Sequence, residues 1–320
     1  MIDNNQSSSN KSSDFEQDLA NQLAREFLKE QRRNRRWGIF FKFLFATYLL
    51  GFFAIFISEY AELGGGSISG EKHTALIDIN GIIAAGSSAS ADNIVSGLRA
   101  AYKDEDTAGI ILRINSPGGS PVQAGYVRDE IYRLRDDNPD IPIYAVISDL
   151  CASGGYYIAS AADEIYADKA SLVGSIGVIM AGFGFVEAIE TLGIERRVLH
   201  AGENKAFMDP FSPMKDDEID HVDQMLDEIY EQFKTVVKTG RGDRLLGNDD
   251  TVFSGLIWTG ERALALGLID GLGSTGFVAR EIIKAEDIKN YSFKPNYLDR
   301  IAKTLGTFIS DQVISEIKLL

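Results

Sequence analysis

The chain has 320 residues, 45% of them hydrophobic, and a formal net charge of −15. That charge excludes a protein that tracks nucleic acid through a basic surface, and the length suits one large folded domain or two ordinary ones. A single cysteine, Cys151, leaves no partner for an intramolecular disulfide, and three histidines without a Cys/His cluster give no zinc motif.

Residues 1–57 hold eight Lys/Arg and six Asp/Glu, a net of +2, so the remainder carries −17. Residues 1–13 are rich in Asn and Ser, as expected of a disordered tail, and 14–36 are richer in helix formers. Arg32, Arg33, Arg35 and Arg36 then precede an apolar run at 37–57 in which Lys42 is the only charge. A run of about 20 apolar residues spans a hydrocarbon core. Basic residues before it predict a cytoplasmic N-terminus, with everything beyond residue 58 outside the cytoplasm. A cleaved signal peptide is the competing reading, and the polar residues ahead of the run weigh against it. The stretch 58–72, with Gly64-Gly65-Gly66, has the composition of a flexible tether.

From 73 to 295, apolar runs alternate with helical stretches, which predicts an α/β fold. Strands are expected at 74–80, 109–115, 141–147, 164–167, 176–180 and 196–201. Helices are expected at 90–104, 121–138, 153–162, 185–192, 215–239 and 260–266. The tail, 296–320, carries Ile301, Leu305, Phe308, Ile309 and Val313 at helical spacing. It predicts an amphipathic helix that docks on its own domain or on a neighbouring subunit.

Two strand-to-helix turns concentrate the chemistry. Ser148-Asp149-Leu150-Cys151-Ala152-Ser153-Gly154-Gly155-Tyr156-Tyr157 follows one apolar run and places Ser153 at a helix start, where backbone N–H groups can stabilise an oxyanion. The same pattern serves as a plain helix cap. Asn115-Ser116-Pro117-Gly118-Gly119-Ser120 forms a second turn, whose glycines allow backbone N–H groups to approach a carbonyl closely. Strand C-termini in a parallel sheet share one edge, where sites in open α/β folds are built. A serine nucleophile needs a base. His73 lies at the tether and His221 in an acidic stretch, so His200 is the serious histidine candidate. Lys205 is the alternative, provided that desolvation or a nearby cation keeps it uncharged. Phe207, Met208 and Phe211 favour such surroundings, whereas Glu203 and Asp209 oppose them.

These motifs, in this order, resemble the signal peptide peptidase A family (serine peptidase family S49) in its short, single-domain form. The resemblance covers about residues 74–275. It rests on Asn115-Ser116-Pro117-Gly118-Gly119, Ala152-Ser153-Gly154-Gly155-Tyr156-Tyr157 and Gly174-Ser175-Ile176-Gly177-Val178. It continues with Lys205-Ala206 and Asp209-Pro210-Phe211, then Trp258-Thr259-Gly260, Ala263 and Gly267-Leu268-Ile269-Asp270. The resemblance implies a Clp protease/crotonase-like fold behind one transmembrane helix in a bacterial inner membrane. It implies Ser153 as nucleophile, Lys205 as general base, Ser175 as the residue that orients the lysine, and Gly118 and Gly119 as the oxyanion turn. The Gly154 N–H joins that turn by geometry. It further implies no cofactor, no metal, and a homo-oligomer whose sites take serine and lysine from adjacent subunits. Remnant signal peptides and other apolar peptides are the implied substrates. A crotonase-like acyl-CoA enzyme and a catalytically silent membrane scaffold stay open at this level.

Overall fold

The computed structural model describes residues 29, 33, 35–54 and 71–293. The expected polar tail, most of the tether and the C-terminal amphipathic helix lie outside the described residues. The chain divides into two units, Met1–Ser69 and Gly70–Leu320. In the first, α1 (Arg35–Ala54) is a 20-residue helix of mean hydropathy 1.6, long and apolar enough to cross a membrane. Trp37 stacks on Phe41 and meets Phe40 edge-on at its start.

The second unit opens β1 (His73–Asn80), α2 (Ala91–Lys103), β2 (Thr107–Ser116), α3 (Pro121–Asp137), β3 (Ile143–Ala152), α4 (Gly154–Ala159) and β4 (Glu164–Ala167). β5 (Leu172–Gly174), α5 (Val186–Thr191), α6 (Asp216–Arg241), α7 (Asp249–Val252) and β6 (Ile257–Thr259) follow. The rest is α8 (Gly260–Ala265), β7 (Gly271–Leu272), α9 (Thr275–Phe277) with a π-helical turn Val278–Ile283, and β8 (Ile288–Asn290). Strand order is β6-β5-β3-β2-β1-β8, with β4 on β3 and β7 on β4. Every pairing is parallel except β5 with β6.

Period-2 alternation sets the layers. Ala75, Ile77, Ile79, Ile110, Leu112, Ile114, Ala145 and Ile147 face the main core, which is closed by apolar residues of α2, α3, α4 and α6. Leu76, Ile111 and Val146 face the other way, under Phe277, Val278 and Ile283. Ser120 starts α3 by accepting from the Gln123 N–H, with Pro121 in the first turn.

β3 is the strand that builds the site. Its first half, Tyr144–Ile147, pairs with β4, and its second half, Leu150–Ala152, pairs with β5. Against β2 it slips at the changeover, Ile114 facing Ile147 but Ser116 facing Cys151. Residues 148–150 stand where β2 has only Asn115, an irregularity that re-aims the strand end. The strand therefore runs through Cys151 and Ala152, beyond the expected stop at 147, and α4 is shorter than the expected 153–162. The strands expected at 176–180 and 196–201 do not form. Val198 and Leu199 are exposed there, and no strand among the described residues pairs with them.

Candidate active site

Ser153 sits between the end of β3 and the start of α4 with φ 52° and ψ −122°. Glycine ordinarily fills that region, and a side chain there costs about 1–3 kcal/mol. The backbone is held on both sides: the Ser153 N–H donates to Gly174 O at 2.9 Å, and its carbonyl accepts from the Tyr157 N–H at 2.9 Å. Its hydroxyl makes no cap bond, so the oxygen is left for other work. Ala152 pairs with Gly174, which sets Ser153 and Ser175 side by side at the strand ends. Ser175 also has positive φ, 51°, and its N–H donates to Leu256 O at 2.8 Å.

The glycine turn after β2 lies on this elbow. A Cβ at Gly118 would stand 2.7 Å from both Ser153 Cβ and the Gly154 nitrogen, so only glycine allows the contact. Ile83 bridges the turn from outside: its N–H donates to Gly118 O at 2.9 Å, and its carbonyl accepts from the Ser120 N–H at 2.8 Å. Buried Ser116 donates to Gly81 O at 2.6 Å and accepts from the Gly118 N–H at 3.1 Å. The Gly118 N–H is therefore taken. Among the described residues, the Gly119 and Gly154 N–H groups have no acceptor. In a parallel bridge of this kind the bridged residue's own N–H faces away from its partner, so that of Gly119 turns from Ile83. The two candidate donors are thus Gly119 and Gly154, and Gly118 supplies close approach.

Ser153 and Gly154 lie in a groove of about 420 Å³. Val122, Gly125, Tyr126 and Asp129 of α3 form one wall, at helical spacing, and Ile229, Gln232 and Phe233 of α6 the other. Gly119, Pro121, Tyr157 and the segment Gly177, Val178 and Ile179 complete it. A largely apolar cleft of this size with a few convergent polar groups fits a binding site. Of these residues only Ser153, Gly154 and Gly119 belong to the set expected from sequence. The α3 stripe was readable as helix periodicity, but its partner wall comes from a helix about 100 residues later.

Lys205 does not line the groove. It is exposed on an arm running from Val178 to Lys215, and its ammonium has no hydrogen-bond or ion-pair partner among the described residues. The arm is held by its own contacts. Arg196 is paired with Asp209 through two 2.9 Å bonds and lies over the Phe211 ring, which stacks on Phe185. The Asp209-Pro210-Phe211 motif is thus structural, and the Arg196 bond holds the Asp209 carboxyl below its ordinary range. Apolar side chains point out of the arm: Leu199 is 100% exposed, Ile179 85% and Phe183 82%.

The histidines stand apart from the groove. His73 is buried against the Tyr291 hydroxyl at 3.0 Å, His200 Nδ1 is 3.0 Å from Gly202 O, and His221 packs edge-on to Phe207. Burial pushes the Cys151 thiol well above its ordinary range, so it is a poor nucleophile.

The model of peptidase family S49 matches residues 135–289. A Synechocystis sp. protein with a protease name is 31% identical over 207 residues, covering 64% of this chain and 72% of that one. The chain belongs to peptidase family S49. The parallel α/β sheet fits the Clp protease-like fold of that family. An Enterococcus faecium protein with a signal peptide peptidase name is 31% identical over 186 residues, 57% of this chain and 52% of that one. The Na(+)/H(+) antiporter NhaA of Brucella melitensis is 46% identical over 176 residues, 55% of this chain and 24% of the antiporter. The chain thus spans about a quarter of the Brucella protein and about half of the Enterococcus one.

Proposed function

We propose that this chain is a membrane-anchored serine endopeptidase with a Ser153–Lys205 dyad. The observation that carries the reading is Ser153 on a strained elbow in an apolar groove, beside two backbone N–H groups without acceptors among the described residues. Ser153 Oγ gives its proton to a neutral Lys205 Nζ and attacks the peptide carbonyl carbon. The oxyanion takes the Gly119 and Gly154 N–H groups. The C–N bond breaks, the lysine returns the proton to the leaving amine, and an ester to Ser153 remains. Water, deprotonated by the same lysine, then hydrolyses the ester.

Lys205 lies outside its own chain's groove, and its arm exposes Ile179, Phe183 and Leu199. Both features support a homo-oligomer in which the arm of one subunit carries Lys205 to Ser153 of the next. Docking would bury the apolar side chains and remove water from the ammonium, which favours the neutral amine. Ser175, next to Ser153 in the β3–β5 register, would orient that amine. Helix α1 supports membrane anchoring, with the catalytic unit outside the cytoplasm of a bacterial inner membrane. The apolar groove and the Enterococcus relative's name support remnant signal peptides and other apolar peptides as substrates.

A fluorophosphonate tests the reading. Mass spectrometry of the labelled full-length protein in detergent should find the adduct on the peptide containing Ser153, and none in Ser153→Ala. Labelling that persists in Ser153→Ala would contradict it.

Ser116 supplies a second expected result. Ser116→Ala frees the Gly118 N–H and leaves Gly81 O without its donor. Buried polar groups without partners cost about 1–3 kcal/mol of stability. Because Gly119 is then less firmly aimed, kcat should fall by about 10–100-fold, short of losing an oxyanion donor outright, with KM nearly unchanged. Thermal melts and steady-state kinetics with a quenched peptide read both.

A further inference from the structure

Glycine inside a helix lowers its stability relative to alanine, so an interior helical glycine needs a reason. The three long helices of the sheet-bearing unit, α2, α3 and α6, contain Gly97 and Gly125 in their interiors and Gly240 one residue from the end of α6. For two, the reason is close packing. A Cβ at Gly97 would stand 2.8 Å from Tyr291 O, and one at Gly240 would stand 1.9 Å from Ser160 O. Gly125 differs. A Cβ there would meet nothing within 4 Å, and its φ is not positive. Neither packing nor backbone conformation calls for glycine at this position.

The space beside Gly125 is the groove itself. Gly125 lies on its α3 wall between Val122 and Tyr126, across from Ile229 and Phe233, with Ser153 and Tyr157 in the same lining. A Cβ at 125 therefore meets open space on this wall. We propose that Gly125 is a specificity-determining residue: it keeps open a subsite for a large apolar or aromatic side chain on the substrate residue that precedes the scissile bond. The tyrosine and phenylalanine rings around the opening offer such a side chain contact on several sides, whereas an alanine side chain would leave the space unfilled. The proposal rests on the reading of Ser153 as the nucleophile and names what its groove selects.

The test uses full-length protein in detergent and two quenched peptides that differ only in Phe or Ala before the cleaved bond. Gly125→Leu should lower kcat/KM for the Phe peptide by about 10-fold or more and change that for the Ala peptide by less than about 3-fold. Gly125→Ala, the gentler variant, should show the same selective loss at smaller size. It should also raise Tm by about 2 °C, since alanine favours the helix. Specificity and stability then move in opposite directions, which a purely structural glycine would not give. Equal losses on both peptides, or a lower Tm in Gly125→Ala, would overturn the proposal. Cleavage that survives Ser153→Ala would instead overturn the underlying reading, and the two failures are distinct.

Discussion

Ser153→Ala is expected to lower kcat/KM for an apolar peptide by about 10⁴–10⁶-fold, because the acyl-enzyme forms on Ser153 Oγ. Lys205→Ala is expected to lose about 10²–10⁴-fold, the usual contribution of a general base. The double variant should be no worse than Ser153→Ala alone, since the residues act as one unit. Lys205→Arg should not rescue, because a guanidinium stays protonated and cannot accept the serine proton. His200→Ala should remain within about 2-fold of the parent, as its ring is held at Gly202 O away from the groove. Steady-state kinetics with a quenched peptide, with circular dichroism to verify folding, measures all of these.

The second large effect concerns the fold. Arg241, only 1% exposed, donates through Nη1 and Nη2 to Asp270 at 2.7 and 2.9 Å and through Nε to Gly267 O at 2.9 Å. Asp270 also accepts from the Ile165 N–H at 2.7 Å. This cluster ties the end of α6 to β4 and to the segment before β7. Burial raises the Asp270 carboxyl, but the Arg241 bonds and charge, the Ile165 N–H and Arg244 outweigh it, and the net shift is downward. Arg241→Met leaves the carboxylate without its main partner and should cost about 3–5 kcal/mol. For a domain of this size that lowers Tm by about 10 °C. Pairing it with Asp270→Leu should recover much of the loss, because the buried charge is then gone. The pH dependence has a fixed sign. A depressed folded carboxylate stabilises fully above its unfolded value of about 3.9, and this is lost as pH falls through the lower folded value. Denaturant titrations across pH 7 to 3 should show the parent losing more stability than the double variant.

The sequence is most legible where periodicity is long or a cap is present. The helix expected at 121–138 is α3, begun by Ser120 and Pro121, and the apolar run at 164–167 is β4. Strands β5, β6, β7 and β8 are two or three residues each, too short for alternation to register. The run at 196–201 has strand composition without a strand. Val198 and Leu199 are exposed and pair with no strand among the described residues, so propensity alone does not order them. The site divides the same way. Ser153 and the Gly118-Gly119 turn are readable because each stands at the end of an apolar run. The adjacency of Ser153 and Ser175 depends on the β3–β5 register, and the spent N–H of Gly118 depends on Ser116. No spacing in the sequence reports either. The Gly267-Leu268-Ile269-Asp270 motif is readable as a motif, yet its work is to hold Arg241.

The central claim is that one site takes Ser153 from one subunit and Lys205 from another. Chains of Ser153→Ala and Lys205→Ala, each inactive alone, can be co-expressed with different tags and purified through both. If the site is shared, random mixing gives one intact pairing in about four, so the mixed assembly should recover about a quarter of the parent's activity. A mixed assembly as inactive as its two parents would contradict the account.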